Sequence, residues 1–474
     1  MTFANAITNQ PTRTTNGMPA RVSTANACVD LFFVIGASRG KNIIPQFTAA
    51  FVENPDVALR IVAWARDIRG GAGEREIFRQ VLTHLETADP AAAVRLVQVV
   101  PNLGRFDDLF VFKTPQVQNV ADAIWHDAIF VKKNGLAAKW TERKGSTAER
   151  LKKKFSLTPK FYRKTLVGLS TTVEQQMCAG KWDQINYSHV PSVAHSRYKK
   201  AFGRHGTTYA EFIQKLVKGD DPTVKVNASA IFPYDVLKGR CSTGYGSTTW
   251  STDELAVIEA QWNALPNYIG DAKVLPLVDV SGSMTCSAGS KGSTTCLEVA
   301  VSLGLYFADK NTGPFKDCML TFSGSPQLVQ LKGNINQKID QMVKTDWAMN
   351  TNLNKAFAKI LDTAVKGNVA PEDMPGTLVI LSDMQFDGCV DGHDESAMAM
   401  IRRKYEEAGY TVPGVVFWSL NAQGNVPAKF DTSGTALVSG FSPAIAASVL
   451  SANMDDMTPE AIMLKAVMQD RYAV

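Results

Sequence analysis

Leu275-Pro276-Leu277-Val278-Asp279-Val280-Ser281-Gly282-Ser283 is a short apolar run that ends on an acid and two serines one residue apart. Apolar residues at consecutive rather than alternate positions suit a strand buried on both faces, as in a parallel sheet. Working outward, similar runs predict strands at 318–322, 328–331, 378–381, 415–419 and 436–438. Helical spacing falls between them near 294–309, 335–343, 352–366 and 395–408, with more helix after Pro443 and Pro459. Strands alternating with helices of this length predict a doubly wound, Rossmann-like parallel sheet over 272–474, with an antiparallel hairpin edge around Gly324-Ser325-Pro326. Such sheets bind ligands at the carboxyl ends of their strands. Asp279 lies at one such end. Asp383, closing Leu378-Val379-Ile380-Leu381-Ser382-Asp383, lies at another, and Thr351 in Asn350-Thr351-Asn352 precedes a helix. Carboxylates and hydroxyls gathered at one crevice are ligands for a hard divalent cation, Mg²⁺ first, with Mn²⁺ or Ca²⁺ as alternatives. The plainer reading of Asp-x-Ser-x-Ser is a capped helix start.

At these residues the sequence resembles the von Willebrand factor A (vWA) family and its metal-ion-dependent adhesion site. The resemblance implies that Ser281, Ser283 and Thr351 touch the metal, that Asp279 and Asp383 act through water, and that an acidic group of a protein ligand completes the coordination. The threonine loop reads Met-Asn-Thr-Asn where many members carry Gly-Gly-Thr. Asp387 reads as a solvated loop residue or an outer acid of the site.

The preceding half differs. From about Ile43 to Tyr268 apolar residues recur at helical spacing, interrupted by short breaks rich in Gly, Pro, Asn or Asp, so a helical domain is expected over 25–271 after a flexible segment 1–24. Asn54-Pro55 opens one helix, Arg69-Gly70-Gly71-Ala72-Gly73 turns the chain, and Pro90 opens another. Further helices are expected at 116–133, 171–179, 194–217 and 252–265, the pattern of an α-solenoid. Charge divides at the same point: 34 Lys and Arg face 24 Asp and Glu before Lys273, and 16 face 21 from there on. The basic excess is concentrated in Lys132, Lys133, Lys139, Arg143, Lys144, Arg150, Lys152, Lys153, Lys154, Lys160, Arg163 and Lys164, interleaved with Trp140, Phe155, Phe161 and Tyr162. A second group is Arg197, Lys199, Lys200, Arg204 and His205. Cations that hold phosphates beside rings that stack on unpaired bases suit single-stranded nucleic acid; the plainer reading is a solvated helix face over core aromatics.

Arg66-Asp67-Ile68-Arg69-Gly70-Gly71-Ala72-Gly73-Glu74-Arg75, Gly104-Arg105-Phe106-Asp107-Asp108-Leu109, Val190-Pro191-Ser192 to Phe202, and Ala230-Ile231-Phe232-Pro233-Tyr234 resemble the TROVE-module proteins of the Ro ribonucleoprotein autoantigen group. With the vWA-like part, the likeness spans roughly 25–450. It implies a ring of HEAT-like helical repeats that binds small noncoding RNA and the single-stranded ends of misfolded RNA. Enzymatic classes find little support. Gly36-Ala37-Ser38-Arg39-Gly40-Lys41 is one residue short of a P-loop and is followed by Asn; the six histidines and seven cysteines form no triad or zinc spacing; the cysteines read as reduced and structural. No signal-peptide pattern or apolar run of membrane-spanning length is seen, so a cytoplasmic protein without a membrane partner is expected. The expectation is a non-enzymatic ribonucleoprotein component with a Mg-dependent interaction site. The alternative is a metal-dependent protein-interaction scaffold, viral or phage, without RNA binding.

Overall fold

The computed structural model describes residues 11–219, 221–228, 231–238, 240, 250–289, 294–322, 325–343, 352–386, 397–451 and 457–474. A helix-rich half is followed by a mixed sheet with helices. The sheet has strands β3 (Val274–Asp279), β4 (Cys318–Phe322), β5 (Leu328–Gln330), β6 (Thr377–Ser382), β7 (Gly414–Ser419) and β8 (Thr435–Ser439), after a small hairpin of β1 (Pro11–Arg13) and β2 (Pro19–Arg21). Spatial order in the sheet is β5-β4-β3-β6-β7-β8; all neighbours are parallel except the edge strand β5, antiparallel to β4. The order reverses direction at β3, so β3 and β6 flank the switch point where such sheets bind ligands.

Alternate residues explain why both faces are covered. Val278, Val379, Leu381, Val416, Trp418 and Val438 join the core on one side, with the helices Cys296–Lys310 and Ala27–Ile35. Leu277, Leu320, Leu378, Ile380, Phe417 and Leu437 face the other side, with the helices Leu353–Gly367 and Ala397–Glu407. Gly304 allows the first of these contacts, since a Cβ there would lie 2.3 Å from Val278 Cγ2.

Residues 11–24, within the stretch expected as a flexible lead, are fastened to the sheet half. Arg21 pairs with Val426 through two backbone bonds of 3.0 Å, and Phe430 N–H donates to Thr24 O. The helix Ala27–Ile35 then lies against β8, with Gly36 so close to Ser439 that a Cβ would meet its carbonyl oxygen at 2.1 Å. The φ of Gly36 is −72°, so the requirement is space, not backbone freedom. Gly36→Ala should therefore cost roughly 1–3 kcal/mol of stability, the scale of overpacking, as read by denaturant unfolding.

In the helical half, Asn54 caps Pro55–Arg66 by accepting from Val57 N–H, and Asp89 caps Pro90–Leu103 by accepting from Ala92 N–H. The expected helix 194–217 is two helices, Ser192–His205 and Thr207–Lys218. Gly206 adopts extended backbone at the break, where a Cβ would strike Tyr187 Oη at 2.4 Å. The Arg66–Arg75 and Gly104–Leu109 motifs meet as an internal ion cluster. Asp108, fully buried, accepts from Arg66 Nε at 2.9 Å, Arg79 Nε at 2.6 Å and Arg105 N–H at 2.9 Å. Asp67, 1% exposed, accepts from Arg471 and Tyr472 near the last residues of the chain, tying the two halves together.

His195 sits at 1% exposure in a separate core with Phe202, Tyr209 and Phe212. Burial, helped by the nearby Lys199 ammonium, pushes its pKa down to about 4. The native state therefore keeps the ring neutral while the unfolded chain protonates it below about 6.5. Stability from this group is complete above that pH and falls as pH drops towards 4, by at most about 1.4 kcal/mol per pH unit. His195→Gln should flatten the decline between pH 6.5 and 4.5 in urea titrations; an unchanged decline would assign it to other groups.

Candidate metal centre

Parallel pairing of Val278 with Leu381 places the ends of β3 and β6 side by side, so Asp279 and Ser382-Asp383 emerge at one edge of the sheet. Asp279 is fully buried, and both of its oxygens are engaged. Oδ1 accepts Ser281 N–H at 2.9 Å and Oδ2 accepts the Ser382 hydroxyl at 2.6 Å. Desolvation pushes its pKa up to about 7 against the lowering effect of those hydrogen bonds, and Asp383 adds repulsion. A group with both oxygens satisfied suits a role in orienting and charging the site rather than direct coordination.

Ser281 and Ser283 face each other, Oγ to Oγ 3.0 Å, at the start of the short turn Gly282–Thr285. Asp383 is 1% exposed. Its Oδ1 accepts Gln385 N–H at 3.2 Å, while Oδ2 is buried with no hydrogen-bond partner among the described residues. Burial raises the Asp383 pKa, and the nearby Ser283 hydroxyl offsets part of this without reaching ordinary hydrogen-bond geometry at Oδ2. A buried carboxylate oxygen left unpaired carries a desolvation cost that a cation would relieve. The donor set is all oxygen, as Mg²⁺ requires. Among the described residues no three His, Cys, Asp or Glu side chains gather to hold a metal; the cluster here combines two carboxylates with hydroxyls. Thr351 and Asp387 lie outside the described residues.

Several supporting groups carry no sequence signal of their own. Ser382 links Asp279 to the loop beyond β6, its hydroxyl also accepting Met384 N–H at 3.0 Å. Met384 has φ +66°, an uncommon backbone for a non-glycine residue, in the turn that aims Asp383. The N-terminal hairpin braces this turn. Thr14 Oγ1 donates to Phe386 O at 2.5 Å, Thr15 N–H to Gln385 Oε1 at 2.9 Å, and Asn16 Nδ2 to Gln385 O at 2.8 Å. No motif marks that contact, because it joins residues some 370 positions apart.

Next to the serine turn, Cys286 Sγ is 3.4 Å from Cys296 Sγ and accepts Asn421 Nδ2–H at 3.3 Å. The Lys41 ammonium is held nearby by Asn421 Oδ1 and Ala422 O, each at 2.7 Å. The would-be P-loop segment thus contributes a lysine to this end of the sheet.

The basic segment is divided among exposed, paired and buried groups. Lys132 pairs with Asp127, Lys139 with Glu174, Arg150 and Lys154 with Asp122, Lys152 with Glu149 and Lys199 with Glu254. Arg143 donates to Ser170 Oγ. Trp140 is half-buried under the Arg105 guanidinium, 3.8 Å from the ring centroid. Tyr162 cannot offer a ring to a ligand as expected. It is 2% exposed, packs on Trp125 and donates its hydroxyl to Glu142 O at 2.6 Å. The helical period explains this: Tyr162 and Leu166 form the inner face of Pro159–Leu169, and Lys160, Phe161, Arg163 and Lys164 the outer. Phe161 is 52% exposed and stacks on Phe130. Lys133, Lys144, Lys153, Lys160, Arg163, Lys164, Arg197, Lys200 and Arg204 have no salt bridge among the described residues.

Residues 14–105 and 113–274 match a family described as "Domain of unknown function (DUF2828)", and residues 273–471 match "Domain of unknown function (DUF7788)". The chain is similar to the uncharacterized protein L728 of Acanthamoeba polyphaga mimivirus, 29% identical with 95% of this chain and 86% of that protein covered. It has a loose overall likeness to the crystal structure of the Ro (RSR) protein of Deinococcus radiodurans, with 15% identity, 90% of each chain covered and a TM-score of 0.37. No helix among the described residues is long and apolar enough to cross a membrane.

Proposed function

The chain belongs to the DUF2828 family, with a second family match beginning where the sheet begins, and on that two-part footing we propose a binding protein whose sheet half takes an acidic ligand through a divalent cation and whose helical half binds RNA. The Oδ2 of buried Asp383, without a hydrogen-bond partner among the described residues and beside the Ser281 and Ser283 hydroxyls and the charge of Asp279, carries the cation reading. These side chains, with Thr351 of the sequence pattern, would hold Mg²⁺ in the manner of a vWA adhesion site. When bound, the ion supplies a coordination position for a carboxylate of a protein partner. Asp279 orients the serine turn through Ser281 N–H, and Ser382 holds the two strand tips together. Calorimetric titration with Mg²⁺ and Mn²⁺ is the test. One saturable site is expected in the parent and none in Ser281→Ala/Ser283→Ala; equal binding by both would remove this site from consideration.

The outer face of Pro159–Leu169 supports the RNA part, since it sets an exposed ring among cations that have no salt bridge among the described residues. Reversing charge at Lys160, Arg163 and Lys164 should weaken RNA binding and make log affinity less steep in log salt, by roughly 0.7 for each single-strand phosphate no longer neutralised. Phe161→Ala should lower single-strand affinity by about 1–3 kcal/mol with little change in slope, because stacking carries no net charge. Gel shifts over a salt series read both. If the triple variant keeps the parent's affinity and slope, this face is only solvated. A helical half that binds protein instead, in a metal-dependent scaffold, is the reading that would then stand.

A further inference from the structure

Cys286, just after the serine turn, and Cys296, the first residue of the helix Cys296–Lys310, lie opposite each other. The antiparallel bridge Ser287–Thr295 adjoins them, and Cys296 N–H donates to Cys286 O at 3.0 Å. Hydrogen-bonded antiparallel pairs have Cα atoms about 5.5 Å apart, inside the range of roughly 4.4–6.8 Å that a disulfide spans. Their sulfurs are already 3.4 Å apart, so a bond of about 2.05 Å needs only a modest closure. Access is asymmetric: Cys286 is half-exposed and Cys296 buried. Asn421 Nδ2–H and the Lys41 ammonium beside it present positive charge to the Cys286 side of the pair.

We propose that Cys286 and Cys296 form a reversible dithiol–disulfide site whose oxidation weakens the adjoining cation site; the second half of this statement rests on the cation reading above. A peroxide is the oxidant. The Cys286 sulfur attacks one peroxide oxygen, the O–O bond breaks, the leaving hydroxide takes the Cys286 thiol proton to become water, and a sulfenic acid forms. The Cys296 sulfur then attacks the Cys286 sulfur, the S–S bond forms, and the sulfenic oxygen leaves as water with the Cys296 proton. Overall two thiols and one hydrogen peroxide give one disulfide and two waters, and a dithiol reductant reverses the change.

Two connections carry the effect to the cation site. Cys286 N–H donates to Ser283 O at 3.2 Å, and Met284 N–H to Ser281 O at 3.1 Å, so the serine turn follows the Cys286 backbone. On the other side the Cys296 thiol donates to Leu420 O at 3.3 Å, and Leu420 N–H donates to Ser382 O at 2.9 Å. Oxidation consumes that thiol proton, leaving the Leu420 carbonyl facing a sulfur that no longer donates, beside the strand end that bears Asp383. Removing a group that supports a metal ligand costs about 10–100-fold in affinity, and a loss at the lower end, about tenfold, is expected here.

The experiment treats the full chain with hydrogen peroxide, blocks remaining thiols with N-ethylmaleimide, and maps tryptic fragments by mass. Fragments 274–291 and 292–310 should appear joined with a loss of two hydrogens, and dithiothreitol should separate them. Cys28, Cys178 and Cys318 should remain unlinked. Both fragments alkylated after peroxide, or Cys286 carried to sulfinic acid with Cys296 free, would overturn the site. Mn²⁺ titration of the reduced and oxidised chain then tests control: about tenfold weaker binding on oxidation, absent in Cys286→Ser and Cys296→Ser, supports it, and equal affinity overturns it. A joined pair in a chain that binds no cation in either state keeps the disulfide site while removing both its control function and the cation reading. A single pairing in the mass map therefore separates the failure of one from the failure of the other.

Discussion

Asp108→Asn should lower the stability of the helical half by about 3–5 kcal/mol, the scale for breaking a buried ion pair by removing one partner. Asp108 is fully buried, and the Arg66 it neutralises is only 6% exposed, so the arginine left behind has little water to turn to. The amide keeps the volume and one acceptor oxygen, which makes the loss electrostatic rather than a cavity effect. Arg79 is more exposed and also contacts Asp107, so it can relax towards that partner. Arg66 has no such freedom, because its guanidinium lies over the Phe78 ring, centroid 6.0 Å away, on a helix packed among buried residues. The substitution should shift the denaturant midpoint followed by far-ultraviolet circular dichroism, which is dominated by helix. Asp107→Asn, at a half-buried site with partly exposed arginines, should cost far less, about 1 kcal/mol or below. Equal losses in the two variants would mean that local helix termination, not the buried charge, explains the effect of the change at Asp108.

The contrast also shows what a sequence can disclose. Apart from the turn at Arg69–Gly73, the motifs Arg66–Arg75 and Gly104–Leu109 read in the sequence as marks of a family resemblance, and the structure gives them a physical role in joining helices through Asp108 and in holding Arg471 through Asp67. The strands β3, β6, β7 and β8 are legible because burial on both faces leaves continuous apolar runs, and the strand-end acids because the runs stop at them. Period-3.6 spacing locates most helices, but it runs through Gly206 because a single glycine does not interrupt an apolar stripe; contact with Tyr187 does. Tyr162 misleads for a related reason. Phe161 and Tyr162 are adjacent aromatics in a basic stretch, and only the phase of the helix, fixed by packing on Trp125, decides which one is buried. The bracing of Gln385 by Thr15 and Asn16, and the pairing of Cys286 with Cys296, depend on tertiary closure that local patterns do not encode.

Asp279→Asn should abolish or reduce cation binding by at least about tenfold while leaving the metal-free chain as stable as the parent or more so, by up to about 1–3 kcal/mol. The opposite signs follow from one fact: the carboxylate is fully buried with hydrogen bonds to only two groups, Ser281 N–H and the Ser382 hydroxyl, and another acid nearby. A charge withdrawn from water and placed beside Asp383 costs stability unless a cation answers it. Asparagine keeps an acceptor for Ser281 N–H and presents an amide to Ser382, whose hydroxyl can turn to accept. Folding loses little, and the repulsion with Asp383 disappears. Sites kept for ligand binding commonly carry such a stability cost. Thermal unfolding after chelation, compared with unfolding at saturating Mn²⁺, reads both signs at once: the parent should gain stability on adding the ion and Asp279→Asn should not. A marked loss of stability in the metal-free variant would instead make Asp279 a structural cap of the Gly282–Thr285 turn, and the acid at the end of β3 would then need no cation to explain it.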